Sequence, residues 1–125
     1  MNIRISSRAV PLLFLIVLGC AGCAVPHAQS ADEAVNYLQS EDPRTRRRGA
    51  DDLRRMMRDS PSDTAVGPLL EAYSHESDLE ALGAIVLALG ATGAPEARPV
   101  IERQLNTNDP DMKRWAQRAR KLWVE

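Results

Sequence analysis

DPRTRRRG at 42–49, ESDLEALG at 76–83 and DPDMKRWA at 109–116 are the three stretches on which the fold turns. Aligned, each opens on an acidic residue, twice followed by proline, and each places a small residue (Gly49, Gly83, Ala116) seven positions on. The openings at 42, 76 and 109 are 34 and 33 residues apart. Self-similarity at such a period marks a repeat architecture, in which one supersecondary unit stacks on copies of itself. Each stretch reads as a helix start. The acid can accept from orphan backbone N–H groups of a first turn, and proline suits the first helical position because its missing donor would go unpaired there. The small residue lies two turns along the same face, where it lets a neighbouring helix approach closely.

Working outward, apolar residues follow each start at helical spacing: Leu53 and Met56, then Val86, Leu87 and Leu89, then Ala119, Leu122 and Trp123. Ahead of each start lies a second helical pattern. These run over 33–39 with Val35 and Leu38, 65–73 with Leu69, Leu70 and Tyr73, and 95–105 with Val100, Ile101 and Leu105. Pro68 and Pro99 fall near the beginnings of the latter two, where proline removes few intrahelical bonds. Asp63 or Thr64 can cap the second, and Gly90-Ala91-Thr92-Gly93 separates it from the third. No stretch alternates with period two for long enough to be a strand. The expectation is an all-α chain: a short α-solenoid of three antiparallel helix pairs over 31–125, with repeats at about 31–60, 63–91 and 94–124.

The phrases DPRTRRRGADDL, VGPLLEAYSHESDLEALGAIVLALGATGAPEARPVIERQL and NDPDMKRWAQRARKL resemble bacterial HEAT-like repeats, the type first described in phycobilisome lyases. The resemblance covers about 95 residues. It implies an α-solenoid that binds other macromolecules and does not imply lyase activity. The first repeat departs from the pattern at Asp51, Asp52 and Arg55, where alanine or leucine is preferred; terminal repeats that cap a stack are atypical in this way.

The first thirty residues have a different character. Arg4 and Arg8 precede a run, 9–18, that is apolar apart from Pro11 and about half the length that spans a bilayer as a helix. A basic region, a short apolar region and small residues after it form an export signal that is removed from the mature protein. Val17-Leu18-Gly19-Cys20 resembles the bacterial lipobox, which makes 1–19 the signal peptide, Cys20 the acylated N-terminus and 20–30 a flexible membrane tether. Cys23 is the alternative, since Ala21-Gly22-Cys23 also ends in small residues before cysteine. An ordinary secretory signal cut after Ala24 or Ser30 would remove both. A redox role for C-x-x-C lacks the strand–helix setting, and zinc lacks ligands, the only histidines being His27 and His75. No cysteine follows Cys23, so no disulfide staples the domain. Fully extended, 21–30 reaches about 35 Å at ~3.3 to 3.6 Å per residue, which keeps the domain near the membrane. Ala21 after the cysteine does not resemble the aspartate that retains some lipoproteins at the inner membrane, so an outer membrane, where there is one, is favoured. The expected localisation is exported and membrane-anchored, facing the periplasm.

Charge is balanced overall, at −1 with 26% charged residues, and gives no bulk attraction to nucleic acid. Its distribution is uneven. Arg44, Arg46, Arg47, Arg48, Arg54, Arg55 and Arg58 crowd one helix, no lysine or arginine falls between Asp59 and Glu80, and Lys113, Arg114, Arg118, Arg120 and Lys121 crowd the last helix. Such strips suit either pairing between neighbouring helices, such as Arg47 with Asp51, or contact with an acidic partner or anionic lipid. Arg44, Arg47, Arg54, Arg58, Arg114, Arg118 and Lys121 are the candidate partner contacts, with Trp123 as a candidate anchor; the other reading of Trp115 and Trp123, eight apart on one face, is that they close the core. With only three repeats the stack is short, and self-association is a further expectation.

Reaction chemistry is not expected. His75-Glu76-Ser77-Asp78 holds the residue types of a nucleophilic triad, but four consecutive residues cannot take the required geometry, and they read as a turn and cap. Asp51 and Asp52 read as an exposed pair among arginines. There is no glycine-rich phosphate loop and no metal-ligand spacing, so no cofactor or metal is expected. The sequence reads as a lipid-anchored, non-catalytic envelope scaffold with an unidentified protein partner. The alternatives are an accessory or assembly factor for an envelope complex, and a secreted binding domain without lipid.

Overall fold

The computed structural model describes residues 24–60 and 62–124; the signal and lipidation readings, Cys20 and Cys23 included, lie outside the described residues. Six α-helices follow one another: α1 (Ala31–Leu38), α2 (Pro43–Asp59), α3 (Val66–His75), α4 (Leu79–Thr92), α5 (Arg98–Leu105) and α6 (Pro110–Val124). Short 3-10 turns, Asp63–Ala65 and Pro95–Ala97, lead into α3 and α5. No strand occurs among the described residues. Consecutive helices pair and the pairs stack, giving an odd-numbered layer (α1, α3, α5) and an even-numbered layer in which α4 lies between α2 and α6. The chain is a short α-solenoid of three helix pairs.

The helices begin where side-chain acceptors meet orphan donors. Ser30 Oγ accepts from Glu33 N at 3.2 Å, Asp42 Oδ1 from Arg44 N at 3.0 Å, and Asp109 Oδ1 from Asp111 N at 2.9 Å and Met112 N at 3.2 Å. Pro43 and Pro110 occupy first helical positions, as the sequence pattern implies. The middle start departs from it: Asp78, not Glu76, caps α4, accepting from Ala81 N at 3.0 Å. Glu76 is drawn inward instead, its side chain only 1% exposed, by Arg46 Nε at 2.7 Å and Nη2 at 2.9 Å. Neither Asp63 nor Thr64 caps the second pattern; Ser62 does, through Thr64 N, because the chain enters α3 by a 3-10 turn.

α4 forms the centre of the core. Ala81 and every residue from Gly83 to Gly90 are buried, so its apolar residues occupy all sides rather than one stripe, as in a helix enclosed by neighbours. Close approach on one of its sides depends on two glycines. A Cβ on Gly83 would lie 2.8 Å from the Trp115 ring, and one on Gly90 would lie 2.8 Å from Ala119 Cα, so α6 sits against α4 with no room for a methyl group. Gly90, read from sequence as part of a separator, is thus a packing residue inside the helix. The separator proper is Gly93, whose φ of +64° makes the left-handed turn that ends α4. Gly49 serves the first pair in the same way, a Cβ there falling 2.7 Å from Tyr37 Cβ on α1.

The first pair packs in spite of its acids. Asp52, expected on an exposed surface, is 1% exposed and lies beside the core residues Leu53 and Met57. Its partners come from the segment ahead of α1: Ala28 N–H donates to Oδ2 at 2.7 Å and His27 Nδ1 lies 2.9 Å from Oδ1, where the Arg55 guanidinium also bonds. Ala28 is itself 8% exposed and belongs to the core. The packed unit therefore begins before Ala31: His27 and Ala28 are held against α2, and Gln29 and Ser30 bond to Glu33 of α1.

Candidate functional site

Stacking brings together charges that are far apart along the chain. All the described lysines and arginines lie on α2 and α6, except Arg98 and Arg103 on α5, while α4 between them carries a single charged residue, Glu80. The odd-numbered layer is mostly acidic, with Asp32 and Glu33 on α1 and Glu71 on α3. The even-numbered layer is therefore a basic face whose middle helix is nearly neutral.

Residues 44, 47, 51, 54 and 58 recur at helical spacing along α2, and Arg47 of that stripe reaches across to Glu80 on α4 at 2.7 Å. Arg44, Arg47, Arg54 and Arg58 thus border α4 from one side. On α6, Arg118 lies over the Trp115 ring at 5.7 Å, and Trp115 rests against Gly83 of α4. Arg114, Arg118 and Lys121 share that side of α6 by spacing. The seven candidate cations consequently share the even-numbered layer. Trp123 is placed differently: half-buried, its Nε1–H donates to Ala94 O at 2.8 Å, with the Arg98 guanidinium over its ring at 5.8 Å, so it ties the end of α6 to the turn before α5.

Some of these cations are already committed. Arg44 meets Asp42, Arg47 meets Asp51 at 4.0 Å as well as Glu80, and Arg114 meets Asp111. Such exposed pairs contribute about 0 to 1 kcal/mol each and are open to exchange with a partner. The Arg46–Glu76 pair is different in kind, since its carboxylate is buried and it ties α2 to the turn before α4. Its bond to Glu76 also raises the Arg46 guanidinium above its ordinary pKa, so the cation is held. Arg54 Nε is buried with no hydrogen-bond partner among the described residues.

Asp52 has the clearest electrostatics. Burial alone would raise its pKa, but the Ala28 N–H, His27 and Arg55 more than offset this and hold it below the ordinary carboxylate range. It is a structural anchor, and sequence reasoning missed it. The signal was present: on α2, 49, 52, 53 and 56 form one stripe, and an acid on a stripe otherwise filled by Gly49, Leu53 and Met56 has to find donors. Leu79 was missed as well. It falls at the first turn of α4, in line with the stripe of 82, 86 and 89 but ahead of the part of the helix that is enclosed, and is 57% exposed.

Several concavities border these elements. A groove of about 830 Å³ runs between α1 and α3, floored by Val35, Leu38, Pro68 and Ala72 and closed by the Arg46–Glu76 pair. A cleft of about 290 Å³ opens between the first turns of α4 and α6, and one of about 370 Å³ lies beside Trp123 between α5 and α6. Among the described residues no group of three or more histidine, cysteine, aspartate or glutamate side chains could hold a metal ion, and no helix is long and apolar enough to cross a membrane. His75 ends α3, and Glu76, Ser77 and Asp78 form the turn to α4, where Glu76 Oε2 accepts from the Ser77 and Asp78 N–H groups at 3.1 Å.

Stacked helix pairs with a charged outer layer define a repeat scaffold, a class that offers extended surfaces to other macromolecules. The chain belongs to the HEAT-repeat family: the family model for HEAT repeats matches residues 31–120. Members of that family are commonly protein-interaction scaffolds and are generally non-catalytic. No curated protein and no solved structure matches the chain.

Proposed function

We propose that the protein is a lipid-anchored envelope scaffold, without catalytic activity, that holds a protein partner on the face formed by α2, α4 and α6. The observation that carries this reading is the gathering of nearly all the domain's lysines and arginines on the two helices flanking an almost neutral one. A layer of that sign attracts acidic surfaces and selects against basic ones. Arg44, Arg47, Arg54, Arg58, Arg114, Arg118 and Lys121 form the contact surface. The anchor is Cys20, with Cys23 second, supported by Val17-Leu18-Gly19-Cys20 after a short apolar run. Docking of His27 and Ala28 on Asp52 shortens the free tether, so the domain is held closer to the bilayer than 20–30 fully extended would allow.

Two measurements test the reading. Mass spectrometry of the mature N-terminus is expected to find an acylated Cys20; a peptide beginning unmodified at Val25 or Ala31 overturns the anchor. Photocrosslinking residues placed at 54 and 118, on the basic face, are expected to capture the same partner in membranes, while one at Glu96, in the turn before α5, does not. Equal capture from all three sites overturns the assignment of the face.

A further inference from the structure

Leu79 is the one large apolar side chain left exposed among the described residues. Neither helix formation nor the core calls for leucine there: Asp78 supplies the cap, and the buried part of α4 begins at Ala81. It stands at the mouth of the cleft between the first turns of α4 and α6, whose other apolar walls are Met112 and Trp115. The Trp115 ring is fixed in place, filling the space that Gly83 leaves open and lying beneath Arg118.

The charges of the cleft are unevenly committed. Asp109 caps α6, Asp111 pairs with Arg114 and Glu80 pairs with Arg47. Arg118 has no carboxylate partner among the described residues; its guanidinium sits over the indole with its donors unspent. One uncommitted cation therefore stands beside one exposed leucine, in a pocket of about 290 Å³ that is the size of a side chain rather than of a domain face.

We infer that this cleft receives an apolar side chain of a partner polypeptide with an acidic residue next to it, the apolar group against Leu79, Met112 and Trp115 and the carboxylate on Arg118. The guanidinium presents a planar fork that matches a carboxylate, and an apolar group in a small pocket with a charged rim is the form that interface anchors take. A bilayer surface fits less well, because a sheet of anionic head groups would also meet Glu80, Asp109 and Asp111, whereas one carboxylate placed at Arg118 avoids them. A second copy docked cleft to cleft would set Arg118 against Arg118. The inference rests on the reading of α2, α4 and α6 as the binding face and names the chemistry of what that face holds.

The test is selection of a displayed library of random twelve-residue peptides against the full chain in detergent, followed by anisotropy titration of the enriched peptides. Enriched peptides are expected to carry an apolar residue next to aspartate or glutamate and to perturb Trp115 emission. Binding should weaken at least tenfold in Leu79→Asp and in Arg118→Glu and stay unchanged in Lys113→Glu, on the other side of α6. Leu79 is exposed, so Leu79→Asp leaves the fold intact, and an unchanged thermal midpoint verifies it. Peptides without acids, or acidic peptides indifferent to both cleft variants, overturn the inference. If acidic peptides are instead lost in Arg54→Glu and Arg58→Glu, the cleft falls while the binding face stands; if none is enriched, both fall. Phosphatidylglycerol vesicles that bind through Arg118 in place of any peptide, or self-association abolished by Leu79→Asp, also overturn it.

Discussion

Replacing Asp52 by alanine should destabilise the domain more than its surface-like residue type suggests. The carboxylate is 1% exposed and accepts from Ala28 N–H at 2.7 Å, with His27 Nδ1 at 2.9 Å and Arg55 on the other oxygen. Truncation leaves the buried Ala28 N–H without an acceptor, which costs about 1 to 3 kcal/mol, and removes bonds to a charged acceptor worth about 1.5 to 3 kcal/mol. His27 and Arg55 can turn to water, so part of the second loss is recovered and the expected total is about 3 kcal/mol. For a domain of this size that lowers the thermal midpoint by on the order of 15 °C. The sign of the pH dependence follows from the depressed folded-state pKa of Asp52. Its stabilisation is fully present above the unfolded-state value, near pH 4, and is lost as pH falls through the lower folded value. Urea unfolding followed by far-UV circular dichroism at pH 7 and pH 3 measures both effects, and hydrogen exchange at the Ala28 amide reports on the docked segment. The variant should be weaker at pH 7 and lose less on acidification than the parent. A residual acid dependence should remain from Asp42, lowered chiefly by the Arg44 backbone N–H. An Asp52→Ala stability within about 0.5 kcal/mol of the parent at pH 7, the scatter of ordinary surface substitutions, would refute the anchor. So would an Ala28 amide that exchanges as in an unfolded chain.

Three further outcomes follow from the packing. Gly90→Ala should cost about 2 kcal/mol in chemical denaturation, because its Cβ meets the Ala119 backbone, whereas Gly67→Ala, with nothing within 4 Å, should be neutral or stabilising by up to about 1 kcal/mol. Arg46→Ala should cost about 3 to 5 kcal/mol by stranding the buried Glu76 carboxylate, while Arg47→Ala, whose partners Glu80 and Asp51 are exposed and half-buried, should change stability by less than about 1 kcal/mol. Trp123→Phe should lower stability by about 1 kcal/mol through loss of the bond to Ala94 O, read from the thermal midpoint.

The helices and their pairing were legible because the signals for them are local. A cap acts within three residues, a proline at the first position acts on its own turn, and an apolar stripe needs only the period of the helix. Asp42-Pro43 and Asp109-Pro110 therefore marked α2 and α6 correctly, and the 33- to 34-residue spacing yielded three stacked pairs. Local reasoning went astray where a side chain had a distant partner. Glu76 looked like a cap but is claimed by Arg46, 30 residues away, which leaves the capping to Asp78. Gly90 looked like a break but is needed where Ala119 crosses.

What the sequence by itself determined is the all-helical repeat, its register to within a few residues, and the two basic strips. Tertiary structure alone decided which of those charges meet. Arg47 and Glu80 are 33 residues apart, one repeat period, and are joined only when the helix pairs stack, while Ala28 and Asp52, 24 apart, are joined only when the first pair closes. The same stacking sets α2 and α6 on either side of α4, and closure of the first pair encloses Asp52. It also leaves Leu79 exposed beside Arg118. The division has one physical cause: helix formation depends on contacts three or four residues apart, whereas burial and charge pairing depend on which surfaces close packing brings together.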